Sequence, residues 1–315
     1  MSEAATGTAV STESRQTTLA LPALLTGAVG IGFAPILVRF SEVGPSSTAA
    51  FRILFALPLL WLMAGWERHR HPETARPRTG TDFKWLAVAG LFFVGDLSMW
   101  HWSLQLTTVA NSTLLTNFAP IFVTIGACVF LGERVSLRFI IGLVLAIGGA
   151  GLLVFQSVHL SSRQMWGDVL SIVTAAVYSG YLLSVKGLRR RFSTITIMSW
   201  SGVVSCLGLF AVAVLSREKM VPVSPRGWEV LIMLALISHV GGQTLIAFAL
   251  GHLPASFSSV SLLLQPVVAA ILAVPLLHER LRVLQIAGGL ITLCGVGLAS
   301  RARPSSPGRD GLSRK

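Results

Sequence analysis

Charge is what this sequence lacks most. Only 12% of its 315 residues are Asp, Glu, Lys or Arg, and just 13 are acidic. A soluble domain draws about a quarter of its residues from that set. With a mean hydropathy of +0.72, so few charges exclude a water-facing surface of ordinary size. Cysteine is scarce too: Cys128, Cys206 and Cys294 each lie inside an apolar run, without CxxC or CxxH spacing. That argues against a disulfide framework and against a metal site. The apolar runs carry no HExxH, no GxSxG and no paired-aspartate pattern, so neither an enzyme centre nor a cofactor is expected. The first 17 residues lack the basic start and short apolar stretch of a cleaved signal peptide. They are expected to form a disordered tail, as is the basic segment 302–315.

What is present is apolar sequence, 53% of the chain, with 30 glycines. About 20 apolar residues in a helix cross a hydrocarbon core of about 30 Å. Ten such runs fall at 19–39, 46–66, 83–106, 109–131, 136–156, 165–187, 194–215, 227–250, 255–278 and 282–300. The longest internal loop, 67–84, is too short to build a soluble core. The expected fold is an all-α integral membrane protein. Its net charge of +12 is spread over short segments between the runs, which suits membrane topology and gives no basic face for nucleic acid. With the N-terminus inside, cytoplasmic segments hold 17 Lys and Arg against 7 on the other side, so both termini are expected in the cytoplasm.

The motif "LGERV" at 131–135 returns as "LHERL" at 277–281. A shift of 146 residues lays Pro120 on Pro266, Ala127 on Ala273, Glu133-Arg134 on Glu279-Arg280, Gly142 on Gly288, and Gly149 on Gly295. The expected units are residues 18–156 and 157–301. Each holds five runs, an odd number, so the second copy enters the membrane from the opposite side. Ten transmembrane helices then form two inverted five-helix repeats around a central cavity, the symmetry that alternating access requires. Arg52, Pro120, Glu133, Arg134, Pro266, Glu279 and Arg280 are read as structural or gating residues.

Polar side chains at helical spacing inside a run mark a cavity or a packed interior. Span 3 carries Asp96, Trp100 and Ser103; span 4 Thr113, Asn117 and Thr124; span 6 Ser171, Thr174, Tyr178 and Tyr181. Span 8 places His239 and Gln243 at i, i+4, and span 9 has Ser258, Ser261 and Gln265. Asp96, Trp100, Asn117, Tyr178, Tyr181, His239, Gln243 and Gln265 are the candidate substrate-binding residues, and Asp96 and His239 a candidate proton-coupling pair. Many of the Ser and Thr hydroxyls are expected to bond only their own helix. The glycine-rich spans 5 and 10 are read as packing helices, because small residues at helical spacing let backbones approach closely, while spans 2 and 7 are placed on the outside. Arg52 is expected to snorkel or pair near the external end of span 2. No basic residue is then expected at the midplane, which argues against phosphorylated cargo.

The paired segments 107–154 and 253–299, with "AAFRILFALPLL" in span 2, resemble the drug/metabolite transporter superfamily. Within it the chain is similar to EamA-type carriers and to YddG-like amino-acid exporters. The resemblance implies an ATP-independent exporter of the bacterial inner membrane whose partners are a small-molecule substrate and membrane lipids. Aromatic or other neutral amino acids such as threonine are the first expectation for cargo. A facilitator and a proton-coupled exporter of drugs or other metabolites both stay open, and a monomer suffices for either.

Overall fold

In the computed structural model, residues 18–107, 112, 115–154, 162–277 and 283–302 are described. Thr113, Glu279, Arg280 and both expected tails lie outside the described residues. The secondary structure among the described residues is helical, without strands. In chain order the helices are α1 (Thr18–Arg39), α2 (Pro45–Arg70), α3 (Gly80–Leu106), α4 (Ala119–Leu131) and α5 (Leu137–Val154). They continue with α6 (Ser162–Leu188), α7 (Thr194–Leu215), α8 (Pro225–His252), α9 (Ala255–Leu276) and α10 (Val283–Arg301). Eight of them are long and apolar enough to cross a membrane, whereas α4 and α5 are apolar but shorter.

Local chemistry sets the ends. Pro45 and Pro225 occupy first turns, where a missing N–H costs nothing. Thr79 and Asp82 form a reciprocal capping box on α3, and the Ser193 hydroxyl accepts from the Thr196 N–H at the start of α7. Gly132 ends α4 at φ 67°, a left-handed conformation that suits glycine. Prolines also break helices from within. The backbone turns at Asn117 and Phe118, just before Pro120, and at Leu262 and Leu263, just before Pro266. A third turn at Phe33 precedes Pro35 in α1. Residues Leu234–Gln243 of α8 form a π-helix.

The glycine spans are closely packed helices, as expected, and the structure shows that they pack on each other. A Cβ added at Gly142 of α5 would lie 2.8 Å from the Gly295 carbonyl oxygen of α10, and one at Gly149 would lie 2.6 Å from that of Gly288. Only residues without side chains allow that approach. The placement of spans 2 and 7 on the outside needs correction. Helix α2 packs on α7, α3 and the π-helical part of α8, and α7 packs on α2 and α3. Half of the apolar window of α7 is buried, against 28% for α10. Hydropathy cannot separate a face that meets protein from one that meets lipid, which is why the pattern misleads here.

One continuous core runs through both halves of the chain and includes Leu24, Ile53, Leu86, Phe139, Leu182, Ile197 and Phe257. Acidic residues tie the halves together at their ends. Glu42, after α1, accepts from the N–H groups of Val223 and Ser224 and from the Ser224 hydroxyl at the start of α8. Glu218, after α7, accepts from the N–H groups of Ser46 and Ser47 at the start of α2. Near the end of α2, Glu67 accepts from the Ser193 hydroxyl, and Asp82 pairs with Arg191. Glu133, after α4, accepts from the N–H groups of Ala255 and Ser256 and from the Ser256 hydroxyl. Each carboxylate at a helix N-terminus meets free N–H groups and the positive end of the helix dipole.

Candidate functional site

The polar residues of α2, α3, α6 and α8 converge in the interior. The Phe93 ring of α3 stacks on Tyr181 of α6 at 4.6 Å and lies 5.9 Å from the His239 ring of α8. Tyr178 and Tyr181 are 6.2 Å apart and nearly parallel. Gln243 lies beside both tyrosines, and the Tyr181 hydroxyl donates to the Met198 sulfur 3.8 Å away. Tyr181, His239 and Gln243 are buried, while Asp96 and Tyr178 keep part of their surface open. Aromatic faces therefore flank a small set of polar groups, the usual make-up of a small-molecule site.

Arg52 belongs to this group, and that corrects the snorkelling expectation. It is buried, and its Nη2 donates to the Ser238 carbonyl 3.2 Å away, inside the π-helix. The charge of Asp96 acts on it. A buried cation is stable only with such compensation. The wide turn supports the arrangement: Thr244 Oγ1 donates to the His239 carbonyl, one residue beyond the carbonyl that Arg52 uses. The protein interior therefore holds a basic residue, Arg52. Arg52 lies seven positions beyond Pro45, close to a helix end in sequence, yet neighbouring helices enclose it. The signal that could have found it is an arginine set inside an apolar run in "FRILF".

The remaining candidates fall elsewhere. Asn117 sits at the turn before Pro120 and Gln265 just after the turn before Pro266, and the amide nitrogen of each is buried without a partner. Both ring nitrogens of His239 and the Nε of Arg52 are unpartnered as well. Such atoms need a partner that a bound molecule or water can supply. Trp100 lies edge-on to His101 at 4.9 Å, and among the described residues no ring contact joins it to the tyrosines. Ser171, Thr174, Ser258 and Ser261 each donate to a carbonyl of their own helix, four residues back. Pro120 is buried and Pro266 half-buried. The Glu-Arg motif divides: Glu133 is a buried cap, while Arg134 is exposed. Among the described residues no group of three His, Cys, Asp or Glu side chains could hold a metal ion.

The EamA-like transporter family matches this chain twice, over residues 18–155 and 165–301. A transporter of unassigned substrate from Archaeoglobus fulgidus is 27% identical over 269 residues, covering 84% of this chain and 91% of that protein. A probable terminal-alkyne amino-acid exporter of Streptantibioticus cattleyicolor is 26% identical over 287 residues, covering 88% and 93%. A pseudopaline exporter of Pseudomonas aeruginosa is 24% identical over 211 residues, covering 67% and 70%. A solved structure at 15% identity shares the fold, with a TM-score of 0.73 over 91% of this chain and 98% of that one. With eight helices able to span a bilayer and two family matches that together take in most of its length, the chain is a multi-pass membrane transporter and belongs to the EamA-like transporter family.

Proposed function

We propose that the protein exports small metabolites, foremost aromatic and other neutral amino acids, across the bacterial inner membrane. It works by alternating access without ATP, as a facilitator driven by the substrate gradient. The observation that carries this reading is the interior cluster of Asp96, Tyr178, Tyr181, His239 and Gln243. Its groups come from both halves of the chain, and it combines open polar atoms with aromatic faces. Relatives named as exporters support the outward direction.

Ten spans in two inverted repeats, 18–156 and 157–301, account for several features together. Under the shift of 146 residues with exchange of halves, the Gly142–Gly295 approach becomes Gly288–Gly149, which is the other close approach of the same two helices. Two antiparallel helices with contacts that map onto themselves in this way are what a two-fold axis relating inverted repeats would produce, and they support that reading. The turns before Pro120 and Pro266 match in the same sense, and discontinuous helices at corresponding positions mark the site region of inverted-repeat transporters. The two family matches agree with that division. Both termini face the cytoplasm in this reading. Glu42 and Glu218 then seal the outer end and Glu67, Asp82 and Glu133 the inner end, the places where access must alternate.

Purified protein in liposomes, without an ion gradient, tests the function. Entry of labelled threonine or phenylalanine above protein-free vesicles is expected. No entry of any amino acid would refute the cargo assignment. The second reading, proton-coupled export of drugs or other metabolites with Asp96 and His239 as the coupling pair, is favoured by the placement of both groups in the interior. It requires flux that depends on a pH gradient and loses that dependence in Asp96→Asn.

A further inference from the structure

The proposed function leaves the buried arginine without a task. Arg52 is enclosed in the protein interior, where an uncompensated cation is costly. One of its donors holds the Ser238 carbonyl, and another, Nε, is buried and bonded to nothing. The nearest opposite charge is Asp96, yet no ion pair within 4.0 Å joins the two among the described residues. Asp96 keeps part of its surface open although it lies deep in α3. The interior thus holds one guanidinium and one carboxylate, set apart, each with unfilled hydrogen-bonding capacity. Both charges act on the same two tyrosines, and the Phe93 ring stacks on Tyr181 with the His239 ring 5.9 Å away.

We propose that Arg52 and Asp96 are the two poles of a zwitterion site, with the Arg52 guanidinium binding the carboxylate of the cargo and the Asp96 carboxylate binding its ammonium. This rests on the amino-acid reading above and narrows it. The site selects molecules that carry both groups on one carbon, and it discriminates against amines and against simple acids. Either of those would leave one buried charge unanswered, and a site built to bond a group rejects the analogue that lacks it. The side chain of the cargo lies against Tyr178 and Tyr181, whose ring faces accept aromatic or aliphatic groups. An arginine serves here better than a lysine because its planar fork can hold Ser238 and a carboxylate at the same time.

The test is competition against entry of labelled phenylalanine into liposomes containing the full chain, with unlabelled phenylalanine, phenethylamine or 3-phenylpropionate as competitor. In the wild type, unlabelled phenylalanine should compete about tenfold or more better than either analogue, as a charge-assisted hydrogen bond in a dry site allows. In Arg52→Gln the advantage over phenethylamine should shrink to within about twofold while the advantage over 3-phenylpropionate persists. Asp96→Asn should give the mirror image. Arg52→Lys, which keeps the charge, should restore part of the discrimination. The ratios are internal to each variant, so a smaller folded fraction does not move them. If Arg52→Gln lowers entry while leaving both ratios at wild-type values, Arg52 is a structural clamp on the π-turn and the proposal is wrong, although amino-acid transport stands. If the wild type does not carry phenylalanine or any other amino acid, the function reading fails and takes this proposal with it.

Discussion

Replacing Glu133 by alanine removes a carboxylate that is 3% exposed and accepts three hydrogen bonds. The N–H groups of Ala255 and Ser256 lie 2.6 and 3.1 Å from its two oxygens. They are first-turn donors of α9 with no partner inside their own helix. A buried donor left unpaired costs about 1–3 kcal/mol, so the two together set a loss of about 2–6 kcal/mol. The Ser256 hydroxyl can rotate to another acceptor and adds little. Glu133→Gln keeps one acceptor oxygen but loses the charge and turns an amide donor toward donors, which should cost roughly half as much. The exposed neighbour Arg134 supplies the control, since Arg134→Gln should fall within about 0.5 kcal/mol of wild type. Thermal unfolding of the detergent-purified variants gives the order: wild type and Arg134→Gln together, then Glu133→Gln, then Glu133→Ala. An alanine variant as stable as Arg134→Gln would refute the argument that this carboxylate holds the start of α9.

The α5–α10 contact predicts a sharp contrast between neighbouring glycines. Gly149→Leu should destabilise by several kcal/mol, because even its Cβ would stand 2.6 Å from the Gly288 oxygen; Gly148→Ala, with nothing within 4 Å, should be nearly silent in the same melts. At Glu42 the Ser224 hydroxyl, then the Ser224 and Val223 N–H groups and the charge of Lys219, hold the carboxylate below its usual range. A lowered folded-state value means that the stabilisation is complete above the ordinary carboxylate range and is lost as pH falls through the lowered one. The stability gap between wild type and Glu42→Gln should therefore be full at neutral pH and close in acid; a gap constant with pH would refute the assignment. Topology can be checked with Thr74→Cys in the 67–84 loop, made in a protein whose own cysteines are replaced. An impermeant maleimide should label it in inside-out vesicles and leave it unlabelled in intact cells.

The helices and the packing role of the glycine-rich spans are legible in the sequence, because a membrane span and a small-residue stripe each leave a signal longer than ten residues, whereas the pairing of α5 with α10 is not. The structure sets the span ends within a few residues of the hydropathy estimate for α3, α6, α7 and α10. His239 and Gln243 are both buried in the π-helix, and Ser171 and Thr174 bond their own helix as such hydroxyls commonly do. What could not be read depends on neighbours distant in the chain. The depth of Arg52 is fixed by α8, 186 residues away, and the buried face of α7 by α2 and α3. The π-helix escaped notice because ten residues at a slightly wider turn leave almost the same apolar spacing as an α-helix. Glu133 and Arg134 are adjacent in sequence, yet of these two only the acid is buried.

The reach of Glu133 also bears on how the protein is made. Its partners at Ala255 and Ser256 lie 122 and 123 residues further along the chain. When the first five helices have entered the membrane, that carboxylate still has no helix end to hold, and Ser46 and Ser47 still wait for Glu218. The N-terminal half therefore leaves the insertion machinery with its polar ends unsettled and must stay loosely assembled until α9 arrives. A ribosome that stalls within α8 would release a segment with every apolar helix of its first half in place and the carboxylate behind α4 unmet, a marker by which quality control could tell a fragment from a finished carrier.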